Sequence, residues 1–99
     1  MGIKLRVVTP DGIFINDKEV DIVNVQTIDG DMGIMKNMTP IVSALKIGTM
    51  SFRINNSVTY VHLHRGILKV SPQECRIITE RLYLVNQSGQ KIDTPNKLN

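Results

Sequence analysis

The sequence predicts an all-β fold, a ten-stranded β-sandwich of two sheets. Three observations point there. Apolar and polar residues alternate along most of the 99 residues, which is the period of a half-buried strand. The apolar residues are mainly Ile, Val, Leu and Met, with two Phe, two Tyr and no Trp, and β-branched side chains suit a pleated surface. Turn residues recur every few positions, and no stretch carries a helical period. Short strands so spaced stack as two sheets; a small barrel satisfies the same pattern.

Each element follows from its residues. Ile3, Leu5 and Val7 face one way and Lys4 and Arg6 the other. Thr9-Pro10-Asp11-Gly12 is a turn, with Pro fixing φ and Gly closing the reversal. Ile13-Phe14-Ile15 is a short strand ended by Asn16 and Asp17. Val20 to Thr27 reads as one longer strand whose apolar phase slips between Ile22 and Val23, through a bulge or a switch of buried face. Asp29-Gly30-Asp31 is a turn, Gly33-Ile34-Met35 a short strand, Lys36 to Pro40 an elbow and Ile41 to Leu45 a strand, after which Gly48 permits a reversal. The clearest hairpin turns at Asn55-Asn56, residues that tolerate left-handed backbone. Its register sets Phe52 opposite Thr59 and Met50 opposite Val61, with Leu63 on the same inward face. Ile67 to Val70, Cys75 to Glu80 and Leu82 to Val85 complete the sheets, with a turn at Ser71-Pro72-Gln73-Glu74. Residues 1–85 thus form one sandwich domain, and residues 86–99 read as a flexible C-terminal tail or linker.

Composition narrows the function. The net charge is +3, with an acidic first part (Asp11, Asp17, Glu19, Asp21, Asp29 and Asp31 against Lys4, Arg6 and Lys18) and a basic remainder. The later bases are spread singly along alternating strands, and aromatics for base stacking are scarce, which argues against nucleic acid. The lone Cys75 allows no intrachain disulfide, as suits a reducing compartment. No apolar segment reads as a signal peptide or a membrane span. The Asn-x-Ser/Thr triplets at Asn37, Asn55 and Asn86 are chance matches in the absence of secretion.

No constellation of catalytic residues emerges. Asp29 and Asp31 lack the further oxygen ligands a calcium loop needs. His62 and His64 lie two apart on one strand face, but a zinc site requires more ligands. Cys75 has no base arranged beside it and reads as a small buried residue. There is no phosphate loop, no dinucleotide motif and no nucleophile in a strained glycine turn. No cofactor or metal is expected. Met32, Met35 and Met38 recur every three residues, yet Gly33 and Pro40 oppose a helix; at least one belongs to the core and the others offer an adaptable apolar contact. Function is therefore expected in docking.

Four segments, in order, carry a resemblance: Val8-Thr9-Pro10-Asp11-Gly12-Ile13-Phe14, Gly30-Asp31-Met32-Gly33-Ile34-Met35, Thr39-Pro40-Ile41-Val42-Ser43-Ala44-Leu45-Lys46 and Arg65-Gly66-Ile67-Leu68-Lys69-Val70. Over roughly the first 80 positions the chain resembles the epsilon subunit of the rotary F-type ATP synthase, called delta in mitochondria. The resemblance implies a non-catalytic rotor subunit of the central stalk, peripheral to the cytoplasmic face of a bacterial cell membrane, coupling the gamma subunit to the c-ring of a proton-translocating enzyme. It places a c-ring contact at Asp29, Gly30, Asp31 and Met32, and a gamma contact at Met38, Thr39, Pro40, Ile41 and Val42. Small-molecule substrates and nucleic acid are not implied.

The chain departs from the family pattern in several places. Lys36, Asn37 and Met38 stand where the family often has Pro, Gly or Asn, and His. Ile47 stands where Pro usually precedes Gly48, which loosens that turn. The family's C-terminal helical hairpin, with its inhibitory and nucleotide-sensing roles, is expected to be absent. The rival reading is a small sandwich that binds a peptide, a carbohydrate or single-stranded nucleic acid.

Overall fold

Thr-x-Asp-Gly occurs twice, and it builds the same turn each time. At Thr9-Pro10-Asp11-Gly12 and at Thr27-Ile28-Asp29-Gly30, the Thr hydroxyl donates to the Gly carbonyl (3.3 and 2.8 Å) and accepts the Asp N–H (3.1 Å in both). Both glycines take positive φ, 128° and 119°, a backbone region that side chains disfavour. These turns close hairpins β1 (Ile3–Thr9) with β2 (Gly12–Val20), and β3 (Ile22–Thr27) with β4 (Gly30–Ile34).

The remaining strands are β5 (Ile41–Leu45), β6 (Gly48–Ile54), β7 (Ser57–Leu63), β8 (Gly66–Ser71), β9 (Glu74–Thr79) and β10 (Leu82–Val85). The computed structural model describes residues 2–86, 88 and 90. One layer is β10-β7-β6-β3 with β4 on the far edge of β3; the other is β5-β8-β9-β1-β2. They join where Thr27 pairs with Leu45. Both layers turn alternate residues inward, so Leu5, Val7, Ile15, Leu68 and Ile77 of one sheet meet Val23, Ile34, Met50, Phe52 and Val61 of the other in one apolar core. The expected ten-stranded two-sheet sandwich is the observed architecture.

Several boundaries differ from the sequence reading for identifiable reasons. The strand beginning at Ile13 does not end at Asn16-Asp17. It continues to Val20 through a pairing irregularity opposite Leu5 to Val8, where Asp17 takes a φ of 53°, as a bulge requires. Val20 to Thr27 is two strands. Val20 pairs with Ile3 and Ile22 with Arg53, so the phase slip marks the chain crossing from one sheet to the other. Asp21 is held at that crossing by its N–H donating to the Arg53 carbonyl at 2.8 Å and by its carboxylate 3.7 Å from the Arg53 guanidinium. The strand read as Gly33 to Met35 is Gly30–Ile34, which leaves Met35 outside it.

The β6–β7 register is the expected one, with Phe52 opposite Thr59 and Met50 opposite Val61. Of the turn pair, Asn55 takes a φ of 56°. Gly66 packs so tightly on β9 that an added Cβ would lie 2.1 Å from the Ile78 carbonyl oxygen. Residues 87, 89 and 91–99, most of the expected tail, lie outside the described residues. Of those following β10, the Asn86 side chain accepts the N–H groups of Ser88 and Gln90, each at 3.0 Å.

Candidate docking surfaces

The two surfaces expected from sequence lie at opposite ends of the molecule. Register carries Thr27 to Leu45, Leu45 to Gly66 and Gly66 to Thr79. The β3–β4 tip, the β5–β6 connection and the links before β8 and after β9 therefore share one end. The elbow at residues 36–40 lies at the other, because β4 runs up to it and β5 returns from it.

At the first end, Asp29, Gly30 and Asp31 are exposed and Met32 is half-buried against the core. The Thr27 hydroxyl fixes the tip from below, so the two carboxylates project from a rigid turn. Sequence reasoning passed over Ile28 and read Ile47 only as loosening the turn before Gly48. Ile28 occupies the tip itself at 67% exposure, and Ile47 the neighbouring connection at 53%. The main chain ties the two together, Ile28 N–H to the Ala44 carbonyl at 3.0 Å and Lys46 N–H to the Gln26 carbonyl at 3.2 Å. The result is an apolar and acidic rim. Asp31 also borders a shallow hollow of about 380 Å³ with a mixed lining that includes Asn24, Gln26, Met32, Thr49 and Tyr60.

At the elbow, Asn37 takes a φ of 69° and its N–H donates to the Pro72 carbonyl at 2.6 Å, which ties the elbow to the β8–β9 turn. Met38 folds back on the core and its sulfur accepts the Met35 N–H at 3.1 Å. Ile41 is half-buried, Thr39 and Pro40 are exposed, and Val42, at 71%, is the most exposed large apolar side chain among the described residues. Of the three methionines, Met32 and Met38 pack against the core and Met35 faces solvent.

Val42 opens onto a surface that sequence spacing concealed. Ala44 pairs with Ile67, Ile67 with Ile78, Ile78 with Val8 and Val8 with Ile13. All five lie on the outward face, which makes an apolar row across the five strands of one sheet. Ile67 and Ile78 are 53% and 56% exposed. Apolar residues scattered singly on a surface are ordinary, but a contiguous band marks an interaction site.

The residues weighed for chemistry sit elsewhere. His62 stacks on Tyr83 of β10 with centroids 4.8 Å apart, and His64 meets it edge-on at 5.1 Å. Burial first and the neighbouring His64 second hold the His62 pKa below its ordinary value. Among the described residues no group of three or more His, Cys, Asp or Glu could hold a metal.

Cys75 is fully buried, and burial, aided by Glu74, pushes its thiol up from 9.0 to about 12. The fold thus favours the neutral thiol, and that contribution is present below about pH 9 and lost as pH rises toward 12. A thiol-reactive chromophore at pH 8 is expected to label Cys75 only as fast as the chain unfolds; prompt labelling of the native protein would contradict its burial.

Comparison with known proteins decides the family. The family model described as ATP synthase, Delta/Epsilon chain, beta-sandwich domain matches residues 2–85. The chain belongs to this family. Its relatives include the ATP synthase epsilon chain of Alkalihalophilus pseudofirmus, 36% identical over 78 residues, a match spanning 79% of this chain and 58% of the relative. The chloroplastic ATP synthase epsilon chain of Galdieria sulphuraria is also 36% identical over 78 residues, spanning 79% of this chain and 56% of the relative. This delta/epsilon sandwich domain thus spans somewhat over half the length of those relatives. Among solved structures, the fold is similar to a chain of the Euglena gracilis mitochondrial ATP synthase OSCP/F1/c-ring assembly, with a TM-score of 0.81 at 16% identity, covering 88% of this chain and 57% of that one. It is also similar to a chain of the Tetrahymena thermophila mitochondrial ATP synthase central stalk and c-ring, with a TM-score of 0.72 at 15% identity, covering 84% and 66%.

Proposed function

We propose that this delta/epsilon sandwich is a non-catalytic rotor subunit of the central stalk. It would couple the gamma subunit to the c-ring of a proton-translocating F-type ATP synthase at the cytoplasmic face of a bacterial cell membrane. The observation that carries this reading is the exposed apolar row from Ala44 through Ile67, Ile78 and Val8 to Ile13, lying outside a sheet whose other face is the core. A family member with such a face has a surface to bury against a larger body.

Val42 lies beside this row, two residues along β5 from Ala44 toward the elbow and paired with Lys69, so the gamma contact is Met38 to Val42 together with the outer face of β5, β8, β9 and β1. The rigid β3–β4 tip at the opposite end, with Asp29, Gly30, Asp31 and Met32 and now Ile28, is the c-ring contact. Carboxylates at a rim favour encounter and register more than affinity. Between the two contacts, a close-packed core transmits torque with little compliance.

Co-expression with the gamma subunit of the same organism tests this reading. A one-to-one complex is expected on size exclusion. Asp31→Lys should leave that complex intact and reduce its retention by membranes carrying the c-ring. A chain that elutes apart from gamma at high micromolar concentration would overturn the assignment.

A further inference from the structure

Arg6 of β1 is paired with Arg76 of β9, and Arg76 with Lys69 of β8. All three point outward, in the row next to Val8, Ile78 and Ile67. Like charges directly opposite one another weaken a sheet, so this alignment works against the fold. The neighbouring groups offset it only in part. Glu74 pairs with the Arg76 guanidinium. Lys4 stands between Glu19 and Glu74, and Asp17 occupies the bulge beside Arg6 on β2. Lys69 has no ion pair among the described residues. The apolar row itself lines a groove of about 550 Å³, where Val8, Ile67 and Ile78 are joined by Pro10 and Glu80. The outer face thus sets a cationic row directly beside an apolar row.

We propose that Arg6, Arg76 and Lys69 are aligned to receive carboxylates on a partner protein whose apolar ridge fills the neighbouring row. Under the function proposed above, on which this inference rests, that partner is the gamma subunit, and its matching surface carries Asp or Glu where it crosses β1, β9 and β8. Charge complementarity of this kind sets register and rejects partners of the wrong sign. The row would make this chain selective for its own gamma subunit.

The double variant Lys69→Gln/Arg76→Gln, made in the full-length chain, tests this. Two solvent-edge charge pairs together contribute up to about tenfold in affinity. Wild-type binding to gamma should therefore weaken as salt rises, and the variant should bind about tenfold more weakly at low salt with a flattened salt dependence. Its thermal midpoint should equal or exceed the wild type's, because repulsion within the sheet is relieved. Equal binding by variant and wild type at every salt concentration would overturn the charge match while leaving the gamma assignment standing. A wild type that ignores gamma altogether would overturn both. A variant that loses stability in step with binding would make the row structural, and overturn the proposal. Wild-type capture by anionic phospholipid vesicles or single-stranded DNA, lost in the variant, would give the row to phosphate rather than carboxylate and overturn it as well.

Discussion

Under the proposed function, Ile78→Asp is expected to weaken binding to gamma by at least about 100-fold, a loss near 3 kcal/mol. Ile78 is the middle of the apolar row, with Ile67 and Val8 on either side, and the centre of a contact is where truncations cost most. The substitution removes roughly 2 kcal/mol of apolar burial and leaves a carboxylate to be desolvated without an assured partner. In the free protein the side chain is 56% exposed, so folding loses only the lower strand propensity of Asp, at most about 1 kcal/mol. Titration calorimetry against gamma and a urea melt measure the two numbers. Ile78→Thr keeps a β-branched side chain and gives the intermediate case, near tenfold. A complex that tolerates Asp here would move gamma off this face.

Phe52→Ala destabilises the sandwich by about 3–5 kcal/mol. Phe52 is 1% exposed and is set between Val23 of β3 and Thr59 of β7. No other aromatic is so deeply placed except Phe14 at 3%. Removing its ring opens a void that the surrounding β-branched side chains cannot fill, because their rotamers are restricted. Small domains are stable by about 5–15 kcal/mol, so the change consumes much of the margin. With a urea dependence of about 1–2 kcal/mol per molar, the unfolding midpoint falls by roughly 2 M or more. A midpoint shift below half a molar would show that Phe52 does not anchor the two sheets.

Much of the fold is legible in the sequence, because period-two alternation and turn chemistry are local. The Asn55-Asn56 hairpin could be placed in register, and the Val20 to Thr27 segment betrayed its sheet crossing by a slipped phase. The extent of β2 was not legible. Asn16 and Asp17 read as a stop, and only the partner strand, with a bulge absorbing them, carries the chain on to Val20.

The docking surfaces divide the same way. Asp29 and Asp31 announce an exposed tip, since turn acids project. Ile28 between two polar neighbours reads as ordinary, and its exposure follows from the hairpin geometry. The outer face was invisible for a stronger reason. Arg6, Lys69 and Arg76 look like isolated solvated bases, and Val8, Ile67 and Ile78 like isolated apolar ones. Strand order alone gathers each set into a row.

The parallel pairing of β1 with β9 has one more consequence. Val8 and Ile78 face each other across 70 positions (78 minus 8), and contacts so remote in sequence close slowly. During synthesis the opening hairpin must wait, with one strand edge bare, until almost the entire domain has emerged from the ribosome. The outward face that the proposed function assigns to the rotor shaft therefore does not exist on a half-made chain, and under that function topology alone would keep unfinished copies from docking.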